Sequence, residues 1–586
     1  MGPRGVKLLL AALFVPHATF LFAAQRPLAP EVVYYNGKIV TVNEAFDIAE
    51  AVAVRDGRFV AVGSNEDIRA LASAQTRQSD LRGKTVLPGF YDNHIHLGPD
   101  RSLQPWEGGL LPAVPAWCRG VDTMDELMEA VGNQAATTPA GEWIRGALTR
   151  PDWPNHKIPT RWQLDEVAPD HPVLLTRGPH TFILNSLALK RAGIDETTPD
   201  PEGGWIIRDE KGVPSGRVLE AARRLVTRVL PATPPTGYET GLANMRQTLE
   251  QLEGLGITSV NIAGIRPDGV GMVQELYARW GETLPRATMQ IRLSPGHDSY
   301  DDAEEGIRKS IAELEGLGFV TGFGNDRLKL GAIKMSIDGG LSAPIFWSLE
   351  PYEEKPDLYG AIRIPAEIFH PVAARAHELG WQLGIHTMGD GAVKMVVDEL
   401  EKILKEHPRE NHRHYLHHVA VKPPEETIAK MARLGILVSS QPSFTVGLGA
   451  YAAEALTDER EQTQNPVKSL LDHGVRVSFG SDSAPYGPLL TIWSAVTRKG
   501  YLGKVYGPEE AVTVKEALRL HTYEPAYLTF DENVKGSIEV GKLADMVVLG
   551  EDILTVDPDR IRRIPIERTI IGGREVYRSE GATSSP

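Results

Sequence analysis

Eight strand-like segments separated by helical segments constrain the fold of this chain more than any other feature of its sequence. They are residues 85–93, 259–263, 288–293, 328–335, 382–387, 414–419, 436–441 and 475–481. Strands that alternate with helices pair in parallel, and eight is the number that closes a (β/α)₈ barrel. We therefore expect an α/β fold whose main domain, residues 85–535, is a TIM-like barrel.

Short strand patterns occupy both ends of the chain. Asn36-Gly37 and Asp56-Gly57 lie between alternating apolar residues and predict hairpin turns. A matching pattern returns after residue 536. We expect residues 31–84 and 536–580 to form one small β-sandwich domain, with the barrel inserted between its two halves.

The first two predicted barrel strands are separated by a large insertion at about residues 100–250. A crossover between neighbouring barrel strands needs far fewer residues than this. Loops at the catalytic end of a barrel surround its active site. We expect the insertion to lie beside the barrel mouth and to take part in substrate selection.

The N-terminus has the layout of a secretory signal. Arg4 and Lys7 precede an apolar run, residues 8–24, that ends in small residues. Pro16 interrupts this run, so a retained membrane anchor is less favoured. We predict a signal peptide at residues 1–24, a secreted or periplasmic protein, and no stable membrane span once the signal is removed.

Composition excludes several classes of partner and site. The 77 acidic and 62 basic residues give a net charge of −15, which argues against a nucleic-acid partner. Cys118 is the single cysteine, so neither an intramolecular disulfide nor a zinc site with several thiolates can form. Any metal must therefore be held by histidine and carboxylate ligands.

The first and eighth predicted strands end in residues suited to metal chemistry. GFYDNHIHL contains His94 and His96, which share one face of a strand and can bind one metal ion. FGSDSAP contains Asp482, a carboxylate that can accept a proton from water and return it to a leaving group. Active sites of barrels lie at this end of the strands.

Histidines also end the fifth and sixth strands. WQLGIHTMGDGA contains His386, and HYLHHVAV contains the adjacent pair His417 and His418. Because side chains alternate along a strand, only one of the pair is expected to face inward. We predict that His418 is the metal ligand, and that His417 faces the helix layer or shapes the surroundings of the site.

The fourth strand ends near Lys334. A lysine inside a barrel is costly unless its charge is paired or removed, and carbamylation would convert it into a metal-bridging anion. The alternative is a salt bridge, for which Asp338 is a candidate partner. Lys329 lies at the start of the strand, away from the expected site.

This order of residues resembles the amidohydrolase superfamily. VLPGFYDNHIH, KMSIDGG, HTMGDGA, FGSDSAP and GSIEVGKLADMVVL are similar to its amidohydrolase-3 branch, which includes formamide deformylase-like metal-dependent hydrolases. The resemblance implies a site for two metal ions. His94 and His96 would hold one ion, and His386 and His418 the other. Carbamylated Lys334 would bridge the ions, and Asp482 would act as the base at the metal. His417 stands where an acidic residue is expected, and a site with one metal stays open.

GPHTFILNSLAL, in the insertion, also resembles a feature of this branch. It makes His180 and Asn185 candidates for lining the substrate pocket. The alternative is a loop capping a helix that starts near Asn185. Glu220, in GRVLEAARR, likewise lies in a motif typical of this branch, but a charge on a helix surface is the preferred interpretation.

These residues predict a hydrolase that cleaves an amide or other non-peptide C–N bond of a small molecule through a metal-activated hydroxide, with an aspartate as general base. Imidazole ligands without thiolates suit Zn²⁺, one or two ions per chain, although Fe, Mn or Co also fit. Hydrolysis of an ester, lactone or cyclic imide at the same site is an alternative, as is a catalytically silent binding protein on this scaffold. A homo-oligomer is compatible with the sequence.

Overall fold

The computed structural model of the chain describes residues 29–121, 123–148, 158–178, 180–232, 234, 236–296, 299–300, 302–341, 345–353, 357–449, 456–482, 485–500 and 503–580. The predicted signal peptide, residues 1–24, lies outside the described residues. Within the described ranges, no helix combines the length and the apolar character needed to cross a membrane.

Seven short strands begin the described chain. They are β1 (Val32–Tyr35), β2 (Lys38–Val40), β3 (Ile48–Ala49), β4 (Ala51–Arg55), β5 (Arg58–Gly63), β6 (Arg77–Asp80) and β7 (Thr85–Pro88). Asp56 and Gly57 join β4 to its antiparallel neighbour β5, as predicted. The hairpin predicted at Asn36-Gly37 is wrong, because β1 pairs with β4 and β6 whereas β2 pairs with β3 and β7. That turn instead carries the chain from one sheet to another.

The predicted strand at residues 85–93 is two strands. β7 (Thr85–Pro88) belongs to the terminal domain, whereas β8 (Phe90–Ile95) is the first strand of the barrel. Gly89 separates them and lies against the barrel wall, where a side-chain carbon would stand 2.1 Å from Thr258 Oγ1. The chain therefore crosses from one domain to the other within a single residue.

The insertion has its own sheet. Its strands are β9 (Leu103–Trp106), β10 (Gly109–Pro112), β11 (Ile144–Ala147), β12 (Val173–Arg177), β13 (Thr181–Leu184), β14 (Gly204–Arg208) and β15 (Pro214–Glu220). β9 and β10 form a hairpin, and the other five form a sheet in the order β11-β12-β13-β15-β14. Apolar clusters around Val131 and Leu189 stabilise this sheet separately from the barrel core.

Seven further parallel strands complete the barrel. They are β16 (Ile257–Ile265), β17 (Arg286–Arg292), β18 (Leu328–Ser336), β19 (Leu383–Thr387), β20 (Tyr415–His418), β21 (Leu437–Ser440) and β22 (Val477–Phe479). The eight-stranded sheet runs in sequence order from β8 to β22. The Asp482 amide donates to His94 O over 2.8 Å and so joins the ends of the first and eighth strands. The predicted TIM-like barrel is confirmed.

Three strands return to the N-terminal sheets. They are β23 (Met546–Leu549), β24 (Ile566–Ile571) and β25 (Arg574–Arg578). One sheet has the order β25-β24-β23-β7-β2-β3 and the other β5-β4-β1-β6. Tyr34 and Phe59 from one sheet and Met546 from the other pack in a single apolar cluster. The small β-sandwich predicted from both chain ends is therefore confirmed.

The helices that follow the barrel strands bury an apolar face, as Val393, Val397 and Leu400 do in the helix Asp390–Glu406. The α-helices in the described residues are Asn65–Arg69, Met124–Thr137, Arg161–Val167, Ser186–Arg191, Arg223–Thr227, Tyr238–Glu253, Val270–Trp280, Ala303–Gly316, Ala366–Glu378, Asp390–Glu406, Glu425–Leu434, Ser443–Gly447, Asp458–Gln462, Val467–Asp472, Pro488–Thr497, Val514–Leu520 and Tyr523–Leu528.

A buried ion pair joins the barrel to the terminal sandwich. Arg286 donates through Nε and Nη2 to the Asp545 carboxylate over 2.7 and 3.0 Å, and the Gly572 amide donates to it over 2.7 Å. The two side chains are 3% and 5% exposed. Burial alone would raise the pKa of Asp545, but Arg286 and these hydrogen bonds lower it. Asp545 is therefore held as an anion at neutral pH.

Candidate metal centre

The ends of the first and eighth barrel strands bring three predicted residues together. His96 Nε2 lies 2.9 Å from Asp482 Oδ1, and His94 Nε2 lies 3.4 Å from the same oxygen. Asp482 adopts a φ of 52°, and its amide is bonded to His94 O. This local turn holds the carboxylate directly beside both imidazoles.

His94 is buried at the centre of this cluster. Neither of its ring nitrogens has a hydrogen-bond partner among the described residues, although the side chain is 1% exposed. One ligand atom from each of His94, His418 and Asp482 lies within 4.8 Å of the others. A buried polar atom without a partner costs about 1–3 kcal/mol, and imidazole and carboxylate are ligands of Zn²⁺ and related ions. The residues present therefore fit a metal ion.

His386 and His418 face each other from the fifth and sixth strands, with His418 Nε2 2.8 Å from His386 Nδ1. The second nitrogen of each ring is held by the protein: His386 Nε2 lies 3.1 Å from Gly339 O, and His418 Nδ1 lies 2.6 Å from Gln441 Oε1. Metal-binding histidines are commonly oriented by such a bond on the nitrogen that does not bind the ion. The remaining nitrogens are thus directed at one point.

Electrostatics favour the ligand forms of these groups. Burial, reinforced by neighbouring Lys334 and histidines, lowers the pKa of His94 well below its ordinary value, and burial lowers that of His418 to about 3. Burial opposes ionisation of Asp482, but the hydrogen bond and charge of His96 bring the pKa of Asp482 down to about 2. Metal binding requires neutral imidazole and ionised carboxylate, and the directions of these pKa shifts favour both.

His417 and His418 both lie inside the barrel. The His417 ring centroid is 4.3 Å from that of His94, and His417 Nε2 lies 3.1 Å from Gln290 Oε1. The first alternative for His417, a position against the helix layer, is therefore wrong. His418 has a φ of 75°, which breaks the side-chain alternation on which that expectation rested.

A buried polar layer beneath the histidines was missed by sequence reasoning. Asn93 Nδ2 donates to Ser478 Oγ over 2.7 Å, and Asn261 Nδ2 donates to Asn93 Oδ1 over 3.1 Å. Gln290 continues the chain of bonds, since its Nε2 donates to Asn261 Oδ1 and its Oε1 accepts from His417. The sequence signal for this layer is that Asn93, Asn261 and Gln290 lie on adjacent strands. The layer supports His417 beside His94.

Lys334 is 1% exposed and lies inside the barrel. Its predicted alternative partner, Asp338, instead accepts from the backbone amides of Trp347, Met388 and Gly389 over 2.8–3.0 Å. Burial and the nearby Arg292 lower the pKa of Lys334 well below its ordinary value, although Asp482 acts in the opposite direction. A salt bridge with Asp338 does not form, and loss of the ammonium charge is favoured. Lys329 pairs with Asp531, away from this cluster.

The insertion contributes a histidine–carboxylate pair to the barrel mouth. His180 Nδ1 lies 2.6 Å from Glu220 Oε1. Side-chain carbons added at Gly339 and Gly340 would stand 2.6 Å from Glu220 Oε1 and 2.7 Å from His180 Cδ2. The pair therefore lies against the loop that anchors His386, close to the predicted metal ligands.

Glu220 is not on a helix surface, so that expectation is wrong. It ends strand β15, is 2% exposed and has a φ of 46°. Burial alone would raise its pKa, but His180, followed by Arg363 and Arg223, lowers the pKa of Glu220 to about 2. The insertion thus holds a buried anion, for which the branch motif around Glu220 was the sequence signal.

Asn185 caps a helix, which is the alternative to lining the substrate pocket. It is the N-cap of the helix Ser186–Arg191, and its side chain also bonds Val173 N and His171 O. It is fully buried. Its polar atoms are therefore committed to the insertion and do not reach a substrate pocket.

Comparisons with known proteins agree with this architecture. A model of the amidohydrolase family matches residues 78–577. N-substituted formamide deformylase of Arthrobacter pascens is 29% identical over 560 residues, which cover 94% of this chain and 99% of that protein. Putative amidohydrolase YtcJ of Bacillus subtilis (strain 168) is 29% identical over 565 residues, covering 93% and 99%. An uncharacterized metal-dependent hydrolase from Pyrococcus horikoshii OT3, 22% identical, has the same fold with a TM-score of 0.65, covering 90% of this chain and 99% of that one.

Proposed function

Because the chain belongs to the amidohydrolase family, and is thus a hydrolase acting on carbon–nitrogen bonds, we propose that it cleaves a non-peptide amide bond of a small molecule. The observation that carries this proposal is the cluster of His94, His418 and Asp482, in which neither ring nitrogen of the buried His94 has a hydrogen-bond partner among the described residues. N-substituted formamides, the substrates named for the Arthrobacter pascens relative, are the first class to try.

Each metal ligand comes from the end of a barrel strand. We assign His94 and His96 to one ion and His386 and His418 to a second, with Lys334 between the pairs when it is carbamylated. Zn²⁺ suits this set of imidazoles. When bound, a divalent ion supplies a Lewis acid that makes water available as hydroxide at neutral pH.

Asp482 is the proposed general base. Its low pKa keeps the carboxylate ionised, and His96 holds Oδ1 in place over 2.9 Å. The carboxylate accepts the proton released by the attacking water and returns it to the departing nitrogen. The products are a carboxylic acid and an amine, so atoms and charge balance without any further reactant.

His180 is the proposed substrate contact from the insertion. Glu220 binds its Nδ1, which leaves Nε2 as the group that can meet a substrate at the mouth. A buried carboxylate in this position fixes the tautomer and orientation of an imidazole. Glu220 is therefore a positioning residue and His180 the group that contacts the substrate.

Metal content is the first test. The chain purified without chelator is expected to contain one or two divalent ions by mass spectrometry, and a His94→Ala/His96→Ala variant is expected to contain fewer. Two ions per chain would support the bridging role of Lys334, and one would remove it while leaving the hydrolase. A chain that binds no metal after reconstitution with Zn²⁺ or Mn²⁺ and bicarbonate, and cleaves no formamide, ester or cyclic imide, would contradict the proposal.

We also propose that residues 1–24 direct export. Their charged start, apolar run and small-residue end support this localisation. N-terminal sequencing of the protein from the extracellular or periplasmic fraction is expected to begin after residue 24. A full-length chain retained in the cytoplasm would contradict it.

A further inference from the structure

Arg292 is a cation at the barrel mouth to which the described residues offer no counter-ion. It is the last residue of β17, at the end of the barrel where the metal ligands lie. Its Nε is buried and has no hydrogen-bond partner, and its guanidinium forms no ion pair in the described parts of the chain. Arg292 is partly buried, and a partly buried charge without a counter-ion is stabilised by a ligand that neutralises it.

The position of Arg292 directs it to the site. Its Cα is the register partner of Lys334 in the neighbouring parallel strand, so both side chains point to the same side of the sheet. A side-chain carbon at Gly264 would stand 2.9 Å from Arg292 Nε and 3.3 Å from Lys334 Cγ. Gly264, with a φ of 99°, therefore leaves the space in which the guanidinium packs beside Lys334.

The acidic groups that the described part of the chain places nearby are already paired. Glu220 is bonded to His180 and also lies 3.9 Å from Arg363, and Asp482 lies 2.9 Å from His96. The charged neighbours of Arg292 are mainly cationic: after burial, Arg363, Arg101 and Arg266 lower its pKa, whereas Asp482 raises it. A divalent ion in the histidine cluster would add to this positive charge. The mouth is thus suited to an anionic ligand.

We infer that Arg292 binds a carboxylate of the substrate close to the scissile bond. An arginine can bind a carboxylate through two parallel hydrogen bonds, a geometry that lysine cannot reproduce. The inference rests on the proposed function for the bond that is cleaved, and it narrows the substrate class to amides that carry a carboxylate. The Arg292–carboxylate contact would also fix which end of the substrate faces the metal ligands.

Matched pairs of ligands test this inference. The probes are N-formyl derivatives of glycine, leucine, phenylalanine and lysine, each as the free acid and as the uncharged carboxamide. Hydrolysis and equilibrium binding are measured for the wild type, Arg292→Met and Arg292→Lys, with metal content checked in each. Arg266→Met is the control, because Arg266 is an exposed arginine that follows the neighbouring strand β16.

The wild type is expected to prefer the free acid of at least one pair by about 100-fold in kcat/KM or Kd. Arg292→Met is expected to lose this preference by lowering the value for the acid only, and Arg292→Lys to recover part of it. Arg266→Met should behave as the wild type. Selective binding of the acid without cleavage would uphold the inference while contradicting the proposed function.

Two results would overturn the inference. One is the absence of any preference for the acid in all four pairs. The other is an equal loss for acid and carboxamide in Arg292→Met accompanied by loss of metal, which would assign Arg292 to the support of Lys334 instead of the substrate.

Discussion

Gln441 sets the orientation of His418, so Gln441→Leu is expected to weaken metal binding without removing a metal ligand. Gln441 is fully buried, its Oε1 lies 2.6 Å from His418 Nδ1, and its Nε2 donates to Ser439 O over 2.9 Å. This arrangement directs His418 Nε2 towards His386 Nδ1. Leucine fills a similar volume but offers neither the acceptor nor the donor.

The magnitude follows from the two bonds that are lost. Leaving His418 Nδ1–H without its acceptor costs about 1–3 kcal/mol of folding stability, and the bond to Ser439 O is lost as well. Loss of an orienting bond to a metal-binding histidine lowers metal affinity about 10- to 100-fold. Gln441→Glu retains an acceptor for His418 and is expected to keep metal affinity close to that of the wild type.

Competition with a chromophoric chelator gives the metal affinity of each variant directly. Gln464→Leu is the matched control, because Gln464 is also fully buried but its amide donates to Glu461 O and to no histidine among the described residues. It is expected to lose stability and to keep metal affinity. The reasoning is refuted if Gln441→Leu retains the wild-type affinity, or if Gln464→Leu loses as much as Gln441→Leu does.

Three further changes test other parts of the structure. Asp545→Asn leaves the buried Arg286 without its counter-ion and is expected to cost about 3–5 kcal/mol in stability at pH 7. Thermal unfolding of the wild type and the variant measures this difference. The difference should shrink as the pH falls through the lowered pKa of Asp545, because protonation removes the same negative charge. Asp482→Asn is expected to lower kcat about 10²- to 10⁴-fold with little change in KM, measured by steady-state kinetics on metal-loaded protein. Gly340→Ala places a methyl group 2.7 Å from His180 Cδ2 and should reduce kcat/KM while the metal content, read by mass spectrometry, stays unchanged.

The barrel and the position of its histidines could be predicted because they depend on local patterns. Apolar runs that alternate with helices identify the strands, and the carboxyl ends of parallel strands meet at one end of a barrel. His94, His96 and Asp482 follow from that rule alone. The prediction of a single strand at 85–93 was wrong because the apolar pattern continues through Gly89, where the chain changes domain.

The arrangement of His417 and His418 could not be predicted in the same way. A φ of 75° is rare for a residue other than glycine, and nothing in the sequence marks it. The position of Glu220 was equally hard to predict. Its φ of 46° turns the end of strand β15, in the insertion, towards the mouth of the barrel. The unpaired state of Arg292 was also hidden, because the absence of a counter-ion is a property of the folded surroundings.

The metal ligands and the insertion are connected through the loop after the fourth barrel strand. His386 Nε2 lies 3.1 Å from Gly339 O, while the missing side chain of Gly339 makes room for Glu220. Movement of Glu220 is therefore expected to shift the carbonyl that orients His386, a proposed metal ligand. We therefore expect a replacement of the insertion to preserve metal binding only if it leaves the close contact at this glycine intact. The geometry of the proposed metal centre thus depends partly on the insertion, which supplies none of its proposed ligands.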